Sequence, residues 1–437
     1  MVTIPRTAVR AFRNVLRSCV PPRNRAPAPP VLLQSDGEAV SLTAATEEVT
    51  LRWTSPSQCE RYTLPLPPGL IDEVEGGSGE ITFDKPAEGP AIARWSDRGG
   101  PRERPFEPLP ETSTPVAPPL PKRWSAAPAE LLAGLNEAAR LAARADASGR
   151  YALYRVQVRG AQGEVVGTDA RRALIRGGWT FPFAEAVLVP ALPVFASREF
   201  DGLPAKVGRT ATHFVIVFGP WTLWLRIDKE AKYPDVRSAV PDPRDATVVT
   251  LGGEDASRLG EVLPGRDPAH LTMVVECLSV TIQLPEEGNE ATRVALTAST
   301  ASGPPLRLAL DCRDLLRAVA AGCRTLHLFA AGRPWVALGD ATLYLATSFD
   351  PPEVSLSETG PTTALVPVTR TAAPSLREQS DECVLDDAEA LWRSLQVTGR
   401  RAGRLFGRIA TRLREERVLE RLWTAVKSLP PAGGPRR

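Results

Sequence analysis

Two runs decide the fold: Arg150–Arg172, RYALYRVQVRGAQGEVVGTDARR, and His213–Asp228, HFVIVFGPWTLWLRID. In the first, Ala152, Tyr154, Val156 and Val158 share one parity and Arg155, Gln157 and Arg159 the other, before Gly160 to Gly163 turns the chain into Glu164 to Thr168. Such alternation marks strands with one buried face, so the run is a half-buried hairpin. In the second, Gly219-Pro220 separates His213–Phe218 from a strand with Trp221, Leu223, Leu225 and Ile227 on one face and Thr222, Trp224, Arg226 and Asp228 on the other. Arg150 to Pro241 is therefore an antiparallel sheet domain.

Short signatures lie within and after these hairpins. Thr168-Asp169-Ala170-Arg171-Arg172 ends a strand, Val187-Leu188-Val189-Pro190 opens a short helix, and Tyr233-Pro234-Asp235 leads to Val240-Pro241. Read in order with Arg150-Tyr151, they resemble the middle domain of the bacterial sliding clamp, the beta subunit of DNA polymerase III. Each motif alone is weak, but five in order over about ninety residues rarely arise in an unrelated sheet. The alternative is an unrelated antiparallel domain.

A chain of 437 residues exceeds one core and suits three domains plus a remainder. Its 43% hydrophobic and 24% charged residues are those of a globular protein, while 43 prolines imply a segmented chain. The formal charge of +2 neither demands nor excludes a polyanionic partner. Cys19, Cys59, Cys277, Cys312, Cys323 and Cys383 form no C-x-x-C pair, which speaks against a zinc site and a disulfide framework and fits a reducing cytoplasm. Arg6, Arg10, Arg13 and Arg17 interrupt any signal-peptide core, and no apolar run approaches the ~18 residues of a membrane span. A soluble, cytoplasmic protein is expected.

Taken in order, Pro5 to Ser18 reads as a helix with Val9, Phe12, Val15 and Leu16 inward and a basic stripe of Arg6, Arg10, Arg13 and Arg17; such stripes are also common on solvated faces. Strands are expected at Val31–Gln34, Val40–Thr43 and Val49–Trp53, a helix at Leu66–Val74, and a hairpin of Ile81–Asp84 with Ala91–Trp95. Dense prolines from Pro105 to Pro121 read as an extended linker. Ala129–Ala145 is a strong helix with Leu131, Leu132, Leu135 and Ala139 inward, and Ala191–Phe200 is a second helix of that domain. A third unit has helices at Asp255–Leu263 and Asp311–Ala321, the latter capped by Asp311. The fold class is α+β: three repeated units of two helices on antiparallel sheet, divided as 1–112, a Pro-rich linker 113–123, 124–243 and 244–352. A flexible stretch 353–383 precedes a basic amphipathic helical tail, 384–430. Between Leu391 and Lys427 ten basic residues stand against three acids. Docking, nucleic-acid binding and a plain solvated face carry comparable weight for that tail.

No catalytic constellation emerges. His213, His270 and His327 lie in or beside strands without metal-ligand spacing, and Gly76-Gly77-Ser78-Gly79 lacks the Lys-Ser/Thr of a phosphate loop. Asp169 has no second carboxylate near it in sequence and suits an Asx turn. No enzyme activity, cofactor or metal is expected.

The resemblance implies instead a ring closed head to tail by a homodimer, with helices lining a hole for double-stranded DNA held without regard to sequence, and with DNA polymerase and a clamp loader as partners. By resemblance the DNA-facing cations are Arg10, Arg13, Arg17, Arg140, Arg144, Arg198, Arg258, Arg313 and Arg317. The peptide cleft matches Leu153, Thr168, Ala170, Arg171, Arg172, Ala173, Pro234, Ser238 and Ala239, and the dimer interface Phe106, Val262 and Leu263. Two departures bear on partner binding. The usual Gly-His-Arg-Leu after Thr-Asp is Ala170-Arg171-Arg172-Ala173, and the usual Met-Pro-Met-Arg terminus is replaced by Thr347-Ser348-Phe349-Asp350 and a further tail. A competing reading is a clamp-fold scaffold that no longer encircles DNA, its tail occupying the cleft; Arg404-Leu405-Phe406 is a faint match to cleft-docking peptides. A third, an enzyme using a pocket in the central sheet, lacks any acid–base pair, nucleophile or metal cluster.

Overall fold

The first strand of every half-unit leaves its own sheet to pair with the other half, and this exchange is the plan of the whole molecule. A computed structural model describes residues 1–20, 28–74, 79–86, 88–110, 114–143, 150–264, 270–276, 279–285 and 291–350. The expected linker at 353–383 and the basic tail at 384–430, with Arg404-Leu405-Phe406, lie outside the described residues, as does Arg144.

The first repeat comprises β1 (Val2–Pro5), α1 (Arg6–Ser18), β2 (Val31–Ser35), β3 (Ala39–Ala45) and β4 (Val49–Pro56), then β5 (Tyr62–Leu66), α2 (Leu70–Val74), β6 (Glu80–Asp84), β7 (Ala91–Asp97) and β8 (Gly100–Phe106). Strand, helix, three strands occurs twice, with β1 pairing with β6 and β5 with β2. The second repeat has β9 (Trp124–Ala127), α3 (Glu130–Leu141), β10 (Arg155–Arg159), β11 (Glu164–Thr168) and β12 (Arg172–Arg176). It continues with β13 (Ala186–Pro190), short 3-10 turns at Pro193–Ala196 and Arg198–Phe200, β14 (Ala205–Arg209), β15 (His213–Phe218) and β16 (Trp221–Arg226). Here β9 pairs with β14 and β13 with β10.

The third repeat has β17 (Thr247–Thr250), α4 (Gly253–Val262), β18 (His270–Glu276), β19 (Ser279–Pro285), β20 (Ala291–Ala295) and a small β21 (Thr300–Ser302). Its second half is β22 (Leu306–Asp311), α5 (Cys312–Ala320), β23 (Thr325–Leu328), β24 (Pro334–Leu338) and β25 (Thr342–Thr347). Again the leading strands exchange, β17 to β23 and β22 to β18. The sheets run on between repeats: β4 pairs with β16 and β12 with β25, giving sheets of eight and nine strands. Two four-stranded sheets remain, edged by β8 and by β20.

Local chemistry explains the helices. In α1 the apolar positions Val9, Phe12, Val15 and Leu16 are all buried, each contributing about 1.5–3 kcal/mol by leaving water. Phe12 stacks on Trp221 of the second repeat at 6.4 Å between ring centroids. Asp311 caps α5, its side chain accepting from the Arg313 N–H at 2.7 Å. The helix α3 presses onto β11 so closely that a Cβ on Gly167 would lie 2.2 Å from the Ala138 carbonyl oxygen, so only glycine fits there.

Several elements differ from the sequence expectation. Ala191–Phe200 forms two 3-10 turns and no α-helix, because Pro193 holds Leu192 extended (φ −120°, ψ 147°) and leaves too few residues before Ser197 turns extended again. Val187–Pro190 belongs to strand β13 and opens no helix. Leu66 ends β5 and is not helical. Gly100–Phe106, rich in Pro and charge, is a strand that was not expected, and its last two residues, Pro105 and Phe106, fall where the extended linker was expected to begin. Arg6 leaves the basic stripe: it is 1% exposed, donating from Nε to the Val74 carbonyl at 2.9 Å and from Nη1 to the Ser96 carbonyl at 2.8 Å.

Candidate partner cleft and DNA-facing cations

Between β11 and β12 the chain makes a tight turn held by its own side chains. Thr168 Oγ1 donates to the Arg172 carbonyl at 2.8 Å and accepts from the Ala170 N–H at 3.1 Å, while Asp169 Oδ1 accepts from the N–H groups of Arg171 and Arg172, both at 3.0 Å. Asp169 is thus an Asx-turn residue. Ala170 has φ +74°, the one non-glycine left-handed residue among those described, at the position where the clamp motif carries glycine.

Arg172 reaches across from this turn. Its Nε lies 2.9 Å from Asp169 Oδ2 and its Nη1 2.6 Å from Asp314 Oδ1 on α5. Asp314 also accepts from the Tyr344 hydroxyl at 2.8 Å and from Arg317 Nη1 at 3.2 Å. Burial opposes the Arg172 charge, but Asp314 and Asp169 outweigh it and raise its pKa. The Tyr344 phenol is pushed well above its ordinary range, first by burial and then by the neighbouring Asp314 carboxylate.

Several residues inferred for a cleft lie around one apolar cluster on the nine-stranded sheet. Ala173 is buried with Val236 and Leu345 in one apolar cluster. The Tyr233 hydroxyl donates to the Val166 carbonyl at 3.2 Å, and the Ala152 N–H donates to the Lys232 carbonyl at 2.9 Å, which fastens the half-buried Leu153 and Pro234 segments to the same region. Ala170, Arg171, Ser238 and Ala239 are exposed and Thr168 is buried. Beyond β25, Ser348 Oγ donates to the Arg333 carbonyl at 2.6 Å and Phe349 exchanges backbone bonds with Ala309 at 3.0 and 3.1 Å. A 300 Å³ depression lies beside the region, lined by Gln157, Leu188, Asp228 and Tyr233 among others.

The helical cations differ in exposure and in their neighbours. Arg10 and Arg17 on α1, Arg140 on α3, Arg198 in the 3-10 turn and Arg313 on α5 are exposed. Several have acidic neighbours: Arg13 and Arg17 both pair with Asp72 of α2, the latter at 3.1 Å; Arg258 lies 3.6 Å from Asp255, and Arg317 3.2 Å from Asp314. Asp72, Asp314 and Tyr344 were missed by sequence reasoning. The three-residue spacings of Asp255 to Arg258 and Asp314 to Arg317 could have revealed two of these pairs. Of the residues expected at a dimer interface, Phe106 and Leu263 are buried in their own cores, 9% and 2% exposed, and Val262 is half-buried.

Among the described residues no group of three or more His, Cys, Asp or Glu could hold a metal, and no helix is long and apolar enough to cross a membrane. Burial lowers the pKa of His213 and of His327. Cys19, Cys59, Cys312 and Cys323 are unbridged.

No family model matches the sequence, and no curated protein matches it. Solved structures do. The DNA polymerase III subunit beta from Pseudomonas aeruginosa superimposes with a TM-score of 0.64 at 17% identity, over 79% of this chain and 99% of that one. The beta sliding clamp of Caulobacter crescentus gives 0.65 at 16% identity over 79% and 98%. The DNA polymerase III beta chain from Streptococcus pneumoniae gives 0.62 at 14% identity over 80% and 99%. The described chain, with its strand exchange repeated in three units and its sheets continued between them, has the fold of the bacterial DNA sliding clamps.

Proposed function

We propose that this protein is a DNA sliding clamp: two copies close head to tail, the ring surrounds duplex DNA, and it tethers a polymerase or another DNA-processing partner without chemistry of its own. The observation that supports the ring most directly is the rule of sheet continuation. In each join, the last strand of a first half pairs with the last strand of the second half in the next repeat, β4 with β16 and β12 with β25. Applied once more, the rule sends β20 to the β8 edge of a second copy, and the reverse contact closes the ring.

Within it, Arg10, Arg140, Arg198 and Arg313 supply exposed positive charge from four of the six helix positions, which suits a phosphate backbone held by charge alone. The turn at Thr168–Arg172 and the segment at Pro234–Ala239 form the receptor for a short partner peptide. Assembly onto closed DNA calls for a loader, and the setting is the cytoplasm. The test is retention on nicked circular duplex before and after linearisation. Retention lost on linearisation, and weakened as salt rises, is the expected result, whereas equal binding to circle and line overturns the ring. Replacing Arg10, Arg140, Arg198 and Arg313 with Glu should abolish retention while leaving thermal unfolding unchanged.

A further inference from the structure

The outer edge of β8 carries an uncommon backbone pattern. Arg98-Gly99 joins β7 to β8, with Asp97 and Gly100 paired across the turn. The closing pair of a two-residue hairpin exchanges hydrogen bonds, and along an antiparallel ladder such pairs alternate with pairs whose N–H and C=O groups point away. Arg102, Arg104 and Phe106 therefore address β7, and Pro101, Glu103 and Pro105 present their backbone outward. Proline has no N–H, so the outward edge of this stretch keeps three carbonyl acceptors and one donor, at Glu103.

The β20 edge is the opposite. The Leu296 N–H bonds the Val280 carbonyl at 2.9 Å, which sets the alternation so that Arg293 and Ala295 point outward, and both keep their donors. The seams inside the chain are likewise intact. At β4 and β16 the facing residues are Thr50, Arg52, Thr222 and Trp224, with further bonds from Thr54 N to Pro220 O at 2.8 Å and from Arg226 N to Glu48 O at 2.9 Å. At β12 and β25 they are Ala173, Ile175, Leu343 and Leu345, flanked by Gly177 N to Ala341 O at 2.8 Å and Thr347 N to Arg171 O at 3.2 Å. The side chains along β8 are also engaged within the repeat, with Arg102 3.0 Å from Asp97, Arg104 3.1 Å from Glu73, and Glu103 3.3 Å from Arg94.

We propose that Pro101 and Pro105 make β8 a donor-poor edge that selects the donor-bearing β20 edge of a second copy and holds it more weakly than either internal seam is held. The proposal rests on the ring reading and adds what sets the polarity and strength of the joint. Two β8 edges brought together would share one donor each, so like-to-like pairing is disfavoured, while β20 can feed the carbonyls of Pro101, Glu103 and Pro105. The joint between copies thus has fewer donors to share than either seam within the chain.

The experiment is sedimentation equilibrium of the full chain from nanomolar to tens of micromolar, comparing the wild type with Pro101→Thr/Pro105→Thr and with Glu103→Pro. Restoring two donors should tighten the dimer about tenfold or more, and removing the last donor should weaken it by about fivefold. Thermal unfolding of each variant checks that the exposed edge alone has changed. A wild-type dimer whose dissociation constant is the same in both variants overturns the inference and leaves the ring standing. A chain monomeric in all three forms over the whole range overturns the ring itself.

Discussion

Arg172 Nη1 lies 2.6 Å from Asp314 Oδ1, joining the turn before β12 to the helix α5 across 142 residues of chain. The pair is partly screened, with side chains 25% and 10% exposed, and Asp314 holds Tyr344 and Arg317 as well. Arg172→Ala should cost about 2 kcal/mol, below the range for a fully buried pair, because Asp314 keeps its other two donors. Asp314→Asn should cost as much or more, since it takes away the negative charge that Arg172, Arg317 and the Tyr344 hydroxyl share. Urea unfolding with unchanged slope is the check.

Stability should fall on the alkaline side. The Tyr344 and Tyr233 phenols are raised above the ordinary value of 10.0, mainly by burial, and Tyr62 is pushed up to about 12. A raised phenol favours the protonated folded state, so its contribution is complete below pH 10 and is lost as pH climbs from there toward the folded value. Each such group steepens the fall by about 1.4 kcal/mol per pH unit. Denaturant midpoints should be flat from pH 7 to 9 and drop between 10 and 12, less steeply in Tyr344→Phe.

Ala170→Gly should stabilise the protein. At φ +74° the alanine Cβ is crowded, at a cost of about 1–2 kcal/mol, against about 0.5–1 kcal/mol of extra chain entropy brought by glycine. A net gain of about 0.5–1 kcal/mol is expected, while Ala170→Val should lose more than that. Thermal melts of the two variants separate these outcomes.

Asp72→Asn should strengthen DNA retention if α1 faces the duplex as proposed. Asp72 engages both Arg13 and Arg17, and its neutralisation takes a competing negative charge away from both. Two further phosphate contacts should steepen the salt dependence by about two units of slope in a plot of log affinity against log salt. An unchanged slope would place α1 away from the DNA.

What the sequence revealed and what it hid have physical reasons. The first central hairpin was legible because Val156 and Val158 alternate with Arg155, Gln157 and Arg159 on a strand with one buried face. Trp224, by contrast, placed on the polar face of its strand, is 1% exposed because that strand is covered on both faces. Strand β8 was not legible, because Pro101, Arg102, Glu103, Arg104 and Pro105 have the composition of a linker, and an edge strand needs no apolar alternation. Arg6 looked like its neighbours in the stripe, and only the carbonyls of Val74 and Ser96, which folding brings from afar, explain its burial. In the cleft, Thr168 to Arg172 was legible as a local turn. Its partner Asp314 was not, since no short-range pattern connects residues on different repeats.

The exchange of leading strands sets a timetable for biosynthesis. Val2 to Pro5 pairs with residues 80–83, so the first strand made has no partner until about three quarters of its repeat has left the ribosome. At ~5–20 residues per second that wait is roughly 4–16 seconds, and β4 waits longer still for β16. Nascent repeats therefore expose unpaired strands for seconds at a time, and the cell must either synthesise this chain quickly or shelter it while it grows.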